Sequence, residues 1–236
     1  MIEAVTFDFW NTIARVPTGA MTEARRRAVL AACERCGVEV EAELLVASLE
    51  EVGLSWERSW SEGVHLHPRE GAELLVRALG VEGAAGEMVA EAFLGAGREV
   101  ELEPAPEIGT VLEALNERGI RVGIVCDVGI SGGELLRELL DQEGLLGHFS
   151  GWGFSDEVGH YKPAPQIFEA ALQALGARPE EALHVGDLRR TDVAGAAALG
   201  MRTARYRALH DDAEHESGVE ADFVLDSHRE LLDVLA

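Results

Sequence analysis

Short apolar segments that end in aspartate and alternate with helix-patterned stretches constrain this chain more than any other feature. Ile2–Phe7 is rich in β-forming residues and ends at Asp8, Ile120–Cys126 ends at Asp127, and Ala182–Val185 ends at Gly186-Asp187. Between and after them the pattern continues. A helix closes at Gly119, and another, Glu134–Glu143, opens after Gly129, Gly132 and Gly133. Trp152–Phe154 reads as a strand, a helix runs from Pro165 to Gly176, and Val193–Leu199 is helical. Arg202–Tyr206 and Phe223–Leu225 are the last strands. Strands this short and this apolar bury both faces only in a parallel sheet with helices on each side. The expected fold is therefore α/β, a doubly wound parallel sheet of Rossmann-like type.

One region breaks the alternation. From about Thr18 to Gly97 every signal is helical. Thr18 or Thr22 can cap a helix running to Gly37. A second helix spans about Glu41 to Ser61 and sets Trp56 and Trp60 one turn apart. A third has Pro68 at its first position and Gly80 just past its end, the usual asymmetry of helix termini. A fourth covers about Glu87 to Arg98. The expected organisation is a core of 1–15 and 101–236 with a helical cap of 16–100 that closes over the strand ends.

Composition removes several classes of function. Hydrophobic residues make up 47% of the 236, enough for a sizeable core. With 43 acidic and 20 basic residues the formal charge is −23, which repels nucleic-acid phosphates and anionic membranes. No apolar run approaches the roughly 20 residues that span a bilayer. The start, MIEAVTFDFWN, lacks the basic region of a signal peptide. Cys33, Cys36 and Cys126 are too few for a disulfide framework. These features point to a cytoplasmic protein, monomer or homodimer, with a small-molecule partner and no nucleic acid or membrane. Nineteen of the 20 basic residues are arginine, and Lys162 alone is lysine. A site that needs a compact ammonium cannot accept the planar guanidinium, so this exception marks Lys162 as functional.

Open parallel sheets bind ligands beyond the carboxyl ends of their strands. Asp8, Asp127 and Asp187 occupy such ends, with Asp192 five residues after Asp187 and Lys162 just ahead of a helix. Carboxylates converging without nitrogen or sulfur ligands suit a hard cation such as Mg²⁺.

These motifs resemble the haloacid dehalogenase superfamily of hydrolases over nearly the whole chain. The first is a strand ending in aspartate with a threonine four residues on, here Asp8 and Thr12. The second is a strand end matched in position by Cys126. The third is a lysine before Pro-x-Pro, here Lys162-Pro-Ala-Pro165. The fourth is Gly-Asp-x-x-x-x-Asp, here Gly186-Asp187 to Asp192. The resemblance implies that Asp8 is a nucleophile that forms a covalent aspartyl intermediate. In the phosphatase branch it implies Mg²⁺ held by Asp8, the Trp10 carbonyl and Asp187, with a phosphorylated metabolite as substrate. Lys162 would neutralise the nucleophile and the transferring group. Asp192 either joins the metal site, partners Lys162 or caps the next helix. Trp10, Asn11 and Cys126 are the expected substrate contacts.

The chain departs from the phosphatase pattern twice. Trp10 stands where those enzymes carry an acid–base aspartate, a loss that typically costs about 10²–10⁴ in rate. An aromatic there resembles the dehalogenase branch, whose halide leaves without protonation and whose site uses no metal. Cys126-Asp127 stands where a Ser/Thr-Asn pair is common, and a thiol donates poorly to a phosphate oxygen. Asp127 is the nearest carboxylate able to replace the missing acid–base. The alternatives to a Mg²⁺-dependent phosphate-ester hydrolase are a metal-free 2-haloacid dehalogenase and a binding descendant with little turnover. Cys33-x-x-Cys36 lacks a second pair and reads as structural. His65 and His67 read as a solvated loop, Trp56 and Trp60 as core of the insert, Arg189 and Arg190 as solvated, and His210–His215 as an exposed loop.

Overall fold

A computed structural model describes residues 1–212 and 219–235. The chain divides into two compact units, Met1–Arg15 with Leu102–Asp127 and Leu140–Ala236, and Val16–Glu101 with Val128–Leu139. The strands in chain order are β1 (Ala4–Phe7), β2 (Ala14–Arg15), β3 (Glu103–Pro104), β4 (Arg121–Cys126), β5 (Gly151–Phe154), β6 (Ala182–Gly186), β7 (Arg202–Tyr206) and β8 (Phe223–Leu225). The helices are α1 (Ala20–Cys36), α2 (Ala42–Glu62), α3 (Pro68–Ala78), α4 (Gly83–Gly95), α5 (Ile108–Glu117), α6 (Gly133–Gln142), α7 (Ser155–Val158), α8 (Pro165–Leu175), α9 (Ala194–Ala198) and α10 (Glu230–Val234).

The first unit is a six-stranded parallel sheet in the order β5-β4-β1-β6-β7-β8. β1, β4 and β6 are buried almost throughout, which is why they read as mainly apolar runs, with Thr6 and His184 as buried polar exceptions. β1 lies between β4 and β6, at the point where the strand order reverses, and this is where doubly wound sheets open a crevice. Register then sets the site. Phe7 pairs with Ile124 and with Val185, so Asp8 begins the loop beside Gly186-Asp187 while β4 runs on to Cys126. One apolar layer on this sheet is formed by Val125, Ile167, Phe168, Ala171, Leu172 and Leu175. β2 and β3 form a separate antiparallel ribbon that no sequence pattern marks, because two residues per strand are too few for a period.

The second unit is helical, with α1 packed on α4, α4 on α3, and α3 on α2. Its core holds Val29, Leu45, Val52, Leu75, Val89 and Phe93. Pro68 starts α3 as expected, and His67 caps it. Its Nδ1 accepts the Arg69 N–H at 3.1 Å while Glu70 reaches back to the His67 N–H at 2.8 Å, so His67, exposed as expected, also caps the helix. Neither Thr18 nor Thr22 caps α1; Gly19, with φ 78°, occupies that position. Trp56 and Trp60 stack on each other at 5.8 Å but are half-buried, lining a surface groove with Leu54 and Arg58 instead of filling the core. The fourth helix starts four residues early, at Gly83, and ends at Gly95 before a 3₁₀ turn, Ala96–Glu99. Residues 128–139, expected in the core, belong to the helical unit, where Ile130 packs on its apolar cluster. Cys33, Cys36 and Cys126 are free thiols. Among the described residues no helix is long and apolar enough to cross a membrane.

Candidate active site

The loop after β1 is a tight turn over residues 9 to 14. The N–H groups of Ile13 and Ala14 donate to the Phe9 carbonyl at 2.9 and 3.1 Å, and that of Asn11 donates to Ala14 at 2.8 Å. Asn11 has φ 57°, the left-handed region that asparagine tolerates better than most residues. The Asp8 N–H donates to the Val185 carbonyl of β6 at 2.8 Å and holds Asp8 against the sheet. Trp10 is half-buried, its ring edge-on to Phe9 at 4.8 Å.

Asp8, Asp187 and Asp192 each offer an oxygen within 4.8 Å of the others, and all three are buried. Lys162, 4% exposed, reaches between two of them: its Nζ donates to Asp8 Oδ1 at 2.5 Å and to Asp192 Oδ1 at 2.7 Å. Asp192 comes from a π-helical turn, Arg189–Val193, that follows β6. A Cβ at Gly186 would collide with the Asp192 carboxylate, so glycine is required ahead of Asp187 for this approach. Asp127 Oδ1 accepts the Lys162 backbone N–H at 2.9 Å and ties down the loop that presents the lysine.

Burial and charge act together here. Burial, with repulsion from Asp192, pushes Asp8 up to about 7 against the pull of Lys162. Burial, then Asp8 and Asp192, pushes Asp187 well above the carboxylate range. Burial also works against Asp192, but Lys162 and His184 outweigh it and hold this carboxyl below its ordinary value. Burial disfavours the Lys162 ammonium, yet Asp192, Asp8 and Asp127 overcome it and the lysine stays charged. Cys126, fully buried, is pushed up by burial and by Asp8 and remains a neutral thiol. Ionising all three acids against one ammonium would leave two excess negative charges, which is part of why Asp8 and Asp187 resist ionisation, and the donors are all hard oxygens. That set fits one divalent cation such as Mg²⁺.

Sequence reasoning missed two histidines. His184, on β6, bonds Asp192 Oδ1 through Nε2 at 3.0 Å and Thr6 Oγ1 through Nδ1 at 2.9 Å. The carboxylate only accepts, so Nε2 carries the proton and Nδ1 accepts from Thr6. With the Leu188 N–H on Oδ2 at 3.1 Å, this leaves Asp192 engaged as the anchor of Lys162. His210, 45% exposed, bonds Asp187 Oδ2 through Nδ1 at 2.7 Å. Strand alternation could have flagged His184 as an inward polar residue three positions before Asp187, whereas nothing local marks His210. The expected loop of His210–His215 lies partly outside the described residues, at 213–215. Arg189 is not solvated: its N–H donates to Asp212 Oδ2 at 2.8 Å and its guanidinium pairs with Glu220 at 2.7 Å.

The fold and the site define a class of α/β protein, a doubly wound sheet with a buried aspartate–lysine cluster at its switch point. The family model of haloacid dehalogenase-like hydrolases matches residues 2–200, and the chain belongs to this family. It is 33% identical to the glyceraldehyde 3-phosphate phosphatase of Methanopyrus kandleri, over 100% of this chain and 97% of that one. It is 28% identical to the ribulose-1,5-bisphosphate 5-phosphatase of Halopiger xanaduensis, over the full length of both. The crystal structure of 2-haloacid dehalogenase from Pseudomonas syringae pv. Tomato superimposes with a TM-score of 0.72 at 26% identity, covering 100% of this chain and 98% of that one.

Proposed function

We propose that the protein is a phosphate-ester hydrolase that works with Mg²⁺ through an aspartyl intermediate on Asp8, acting on a small phosphorylated metabolite. The observation that carries this reading is the cluster itself. Asp8 and Asp187 are buried side by side where ionising both is costly, and the Lys162 ammonium pairs with Asp8 and Asp192 rather than with Asp187. A second buried carboxylate beside Asp8 is costly unless a cation offsets its charge, which favours a metal-assisted reaction. The full-length likeness to two phosphatases supports the same reading.

Asp8, Asp187 and the main-chain carbonyl of Trp10 would hold the cation, which when bound neutralises charge on the phosphate oxygens. Asp8 Oδ1 is engaged by Lys162, which leaves Oδ2 to attack phosphorus as the ester bond to the leaving oxygen breaks. Thr6, His184 and Asp192 hold the lysine by a continuous chain of hydrogen bonds and keep its ammonium aimed at Asp8. Such preorganised charge costs no rearrangement as the reaction proceeds. Trp10 cannot exchange a proton, so the leaving oxygen takes one from water or from a carboxyl. Asp127, at the end of β4 beside the Lys162 loop, is the candidate for this acid and for the base that activates the hydrolytic water. In Asp127→Asn the lost acid should slow the first release of product and the lost base should slow hydrolysis of the intermediate.

A second reading rests on Trp10 together with the dehalogenase likeness: metal-free displacement of halide from a 2-haloacid by Asp8. Screening phosphorylated metabolites and 2-haloacids with and without Mg²⁺ separates the two. Metal-dependent phosphate release supports the first reading, and halide release without metal would replace it. Silence on both sets would leave a binding descendant.

A further inference from the structure

We infer that His210 is a positioning residue for Asp187, holding one carboxylate oxygen so that the other is presented to the cation. The inference rests on the Mg²⁺ reading given above. Of the three clustered carboxylates, Asp8 and Asp192 are fixed by Lys162, whereas Asp187 takes its side-chain hydrogen bond from His210, at 2.7 Å. Asp187 is 3% exposed and His210 is largely open to solvent, so the imidazole reaches in from the rim of a buried group.

The segment that carries His210 is strapped at both sides. Arg207, on one side, forms a two-pronged pair with Asp226, at 2.7 and 3.0 Å. On the other, Arg205 pairs with Asp211 at 2.5 Å, and Asp212 accepts the Arg189 N–H at 2.8 Å and the Arg189 guanidinium through its carbonyl. Arg189 and Arg205 share Glu220 as a further acceptor. Arg189 lies two residues after Asp187, so the same clasp joins the Asp187 loop to the loop that brings His210.

The chemistry explains why an imidazole suits this place. A lysine or arginine would add a fixed positive charge beside a cation site. A histidine donates the same hydrogen bond from Nδ1 as a neutral ring. A ligating carboxylate with one oxygen held in this way cannot rotate freely, and outer partners of this kind typically set metal affinity by about 10–100-fold.

The test is calorimetric titration of the full-length protein with Mg²⁺ alone, in the parent, His210→Ala, His210→Asn and Asp187→Asn. His210→Ala should weaken Mg²⁺ binding by roughly 10–100-fold. His210→Asn, whose amide nitrogen stands near the Nδ1 position, should recover most of that loss. Metal-free melting temperatures should match the parent for both His210 variants. If His210→Ala binds Mg²⁺ as tightly as the parent while Asp187→Asn does not, the inference about His210 is wrong and the metal reading stands. If the parent itself shows no binding, the metal reading fails and takes the inference with it. Nitrogen-15 spectra of the Mg²⁺-loaded parent give an independent check: the His210 ring should carry its proton on Nδ1, and a proton on Nε2 would overturn its role as donor to the Asp187 carboxylate.

Discussion

The sheet unit and the helical unit use charge in opposite ways. In the sheet unit Asp8, Asp187, Asp192 and Lys162 are withdrawn from water, each at most 5% exposed, and every one is fixed by a named partner. In the helical unit the core is apolar, and the ion pairs, such as Arg69 with Glu87 and Glu91, lie on the surface. Buried charges that depend on each other admit few substitutions, because removing one leaves another uncompensated. Exposed pairs are screened and replaceable. The sheet unit is therefore the part that tolerates few changes in its charged residues, and the helical unit the part whose charges can be exchanged.

The largest expected effect tests the first half of that contrast. Asp8→Asn should reduce turnover on the best substrate by on the order of 10⁴-fold or more, read as steady-state product release. Turnover within tenfold of the parent would remove Asp8 as the nucleophile. Trp10→Asp restores the common acid–base and should raise phosphomonoester hydrolysis by about 10²–10⁴-fold; no gain would count against the phosphatase reading.

Stability should separate the two units as well. Lys162→Met strands Asp8 and Asp192 and should cost about 3–5 kcal/mol in denaturant unfolding. A loss within the error of extrapolation would mean that the cluster relaxes by taking up protons. Next in size is a pH effect from His228, buried in the sheet unit. It stacks on Tyr206 at 3.9 Å, and its Nε2–H donates to the Thr12 carbonyl at 2.8 Å. Burial lowers this imidazole to about 4, against an ordinary 6.5. The unfolded chain therefore binds more protons between these values, and stability should fall as pH drops from about 6.5 to 4, by up to roughly 3 kcal/mol. His228→Gln should flatten that part of the pH–stability curve, and an unchanged slope would assign it to other groups. The smallest effect is expected in the helical unit, where Arg69→Ala should barely move the unfolding midpoint. A loss comparable to that of Lys162→Met would erase the contrast between the units.

Much of this molecule is legible without coordinates because its signals are local. Pro68 and Gly80 bracket α3, Pro165 and Gly176 bracket α8, and apolar runs ending in aspartate mark β1, β4 and β6. Each such signal operates within a turn or a strand length. Four motifs in order were enough to identify Asp8, Lys162, Asp187 and Asp192 as one constellation, and the lone lysine among 19 arginines pointed the same way. What tertiary structure decided is who holds whom. His210 reaches Asp187 across 23 residues, His184 spans Thr6 and Asp192, and Arg189 clasps Asp212 and Glu220. The ribbon of β2 with β3 and the placing of residues 128–139 with the helices are likewise outcomes of packing. The sequence by itself determined most of the elements and the candidate site residues, since propensity, capping and apolar runs act between near neighbours. Hydrogen-bond partners distant in the chain exist only once the sheet has set their register, and only the folded structure could assign them.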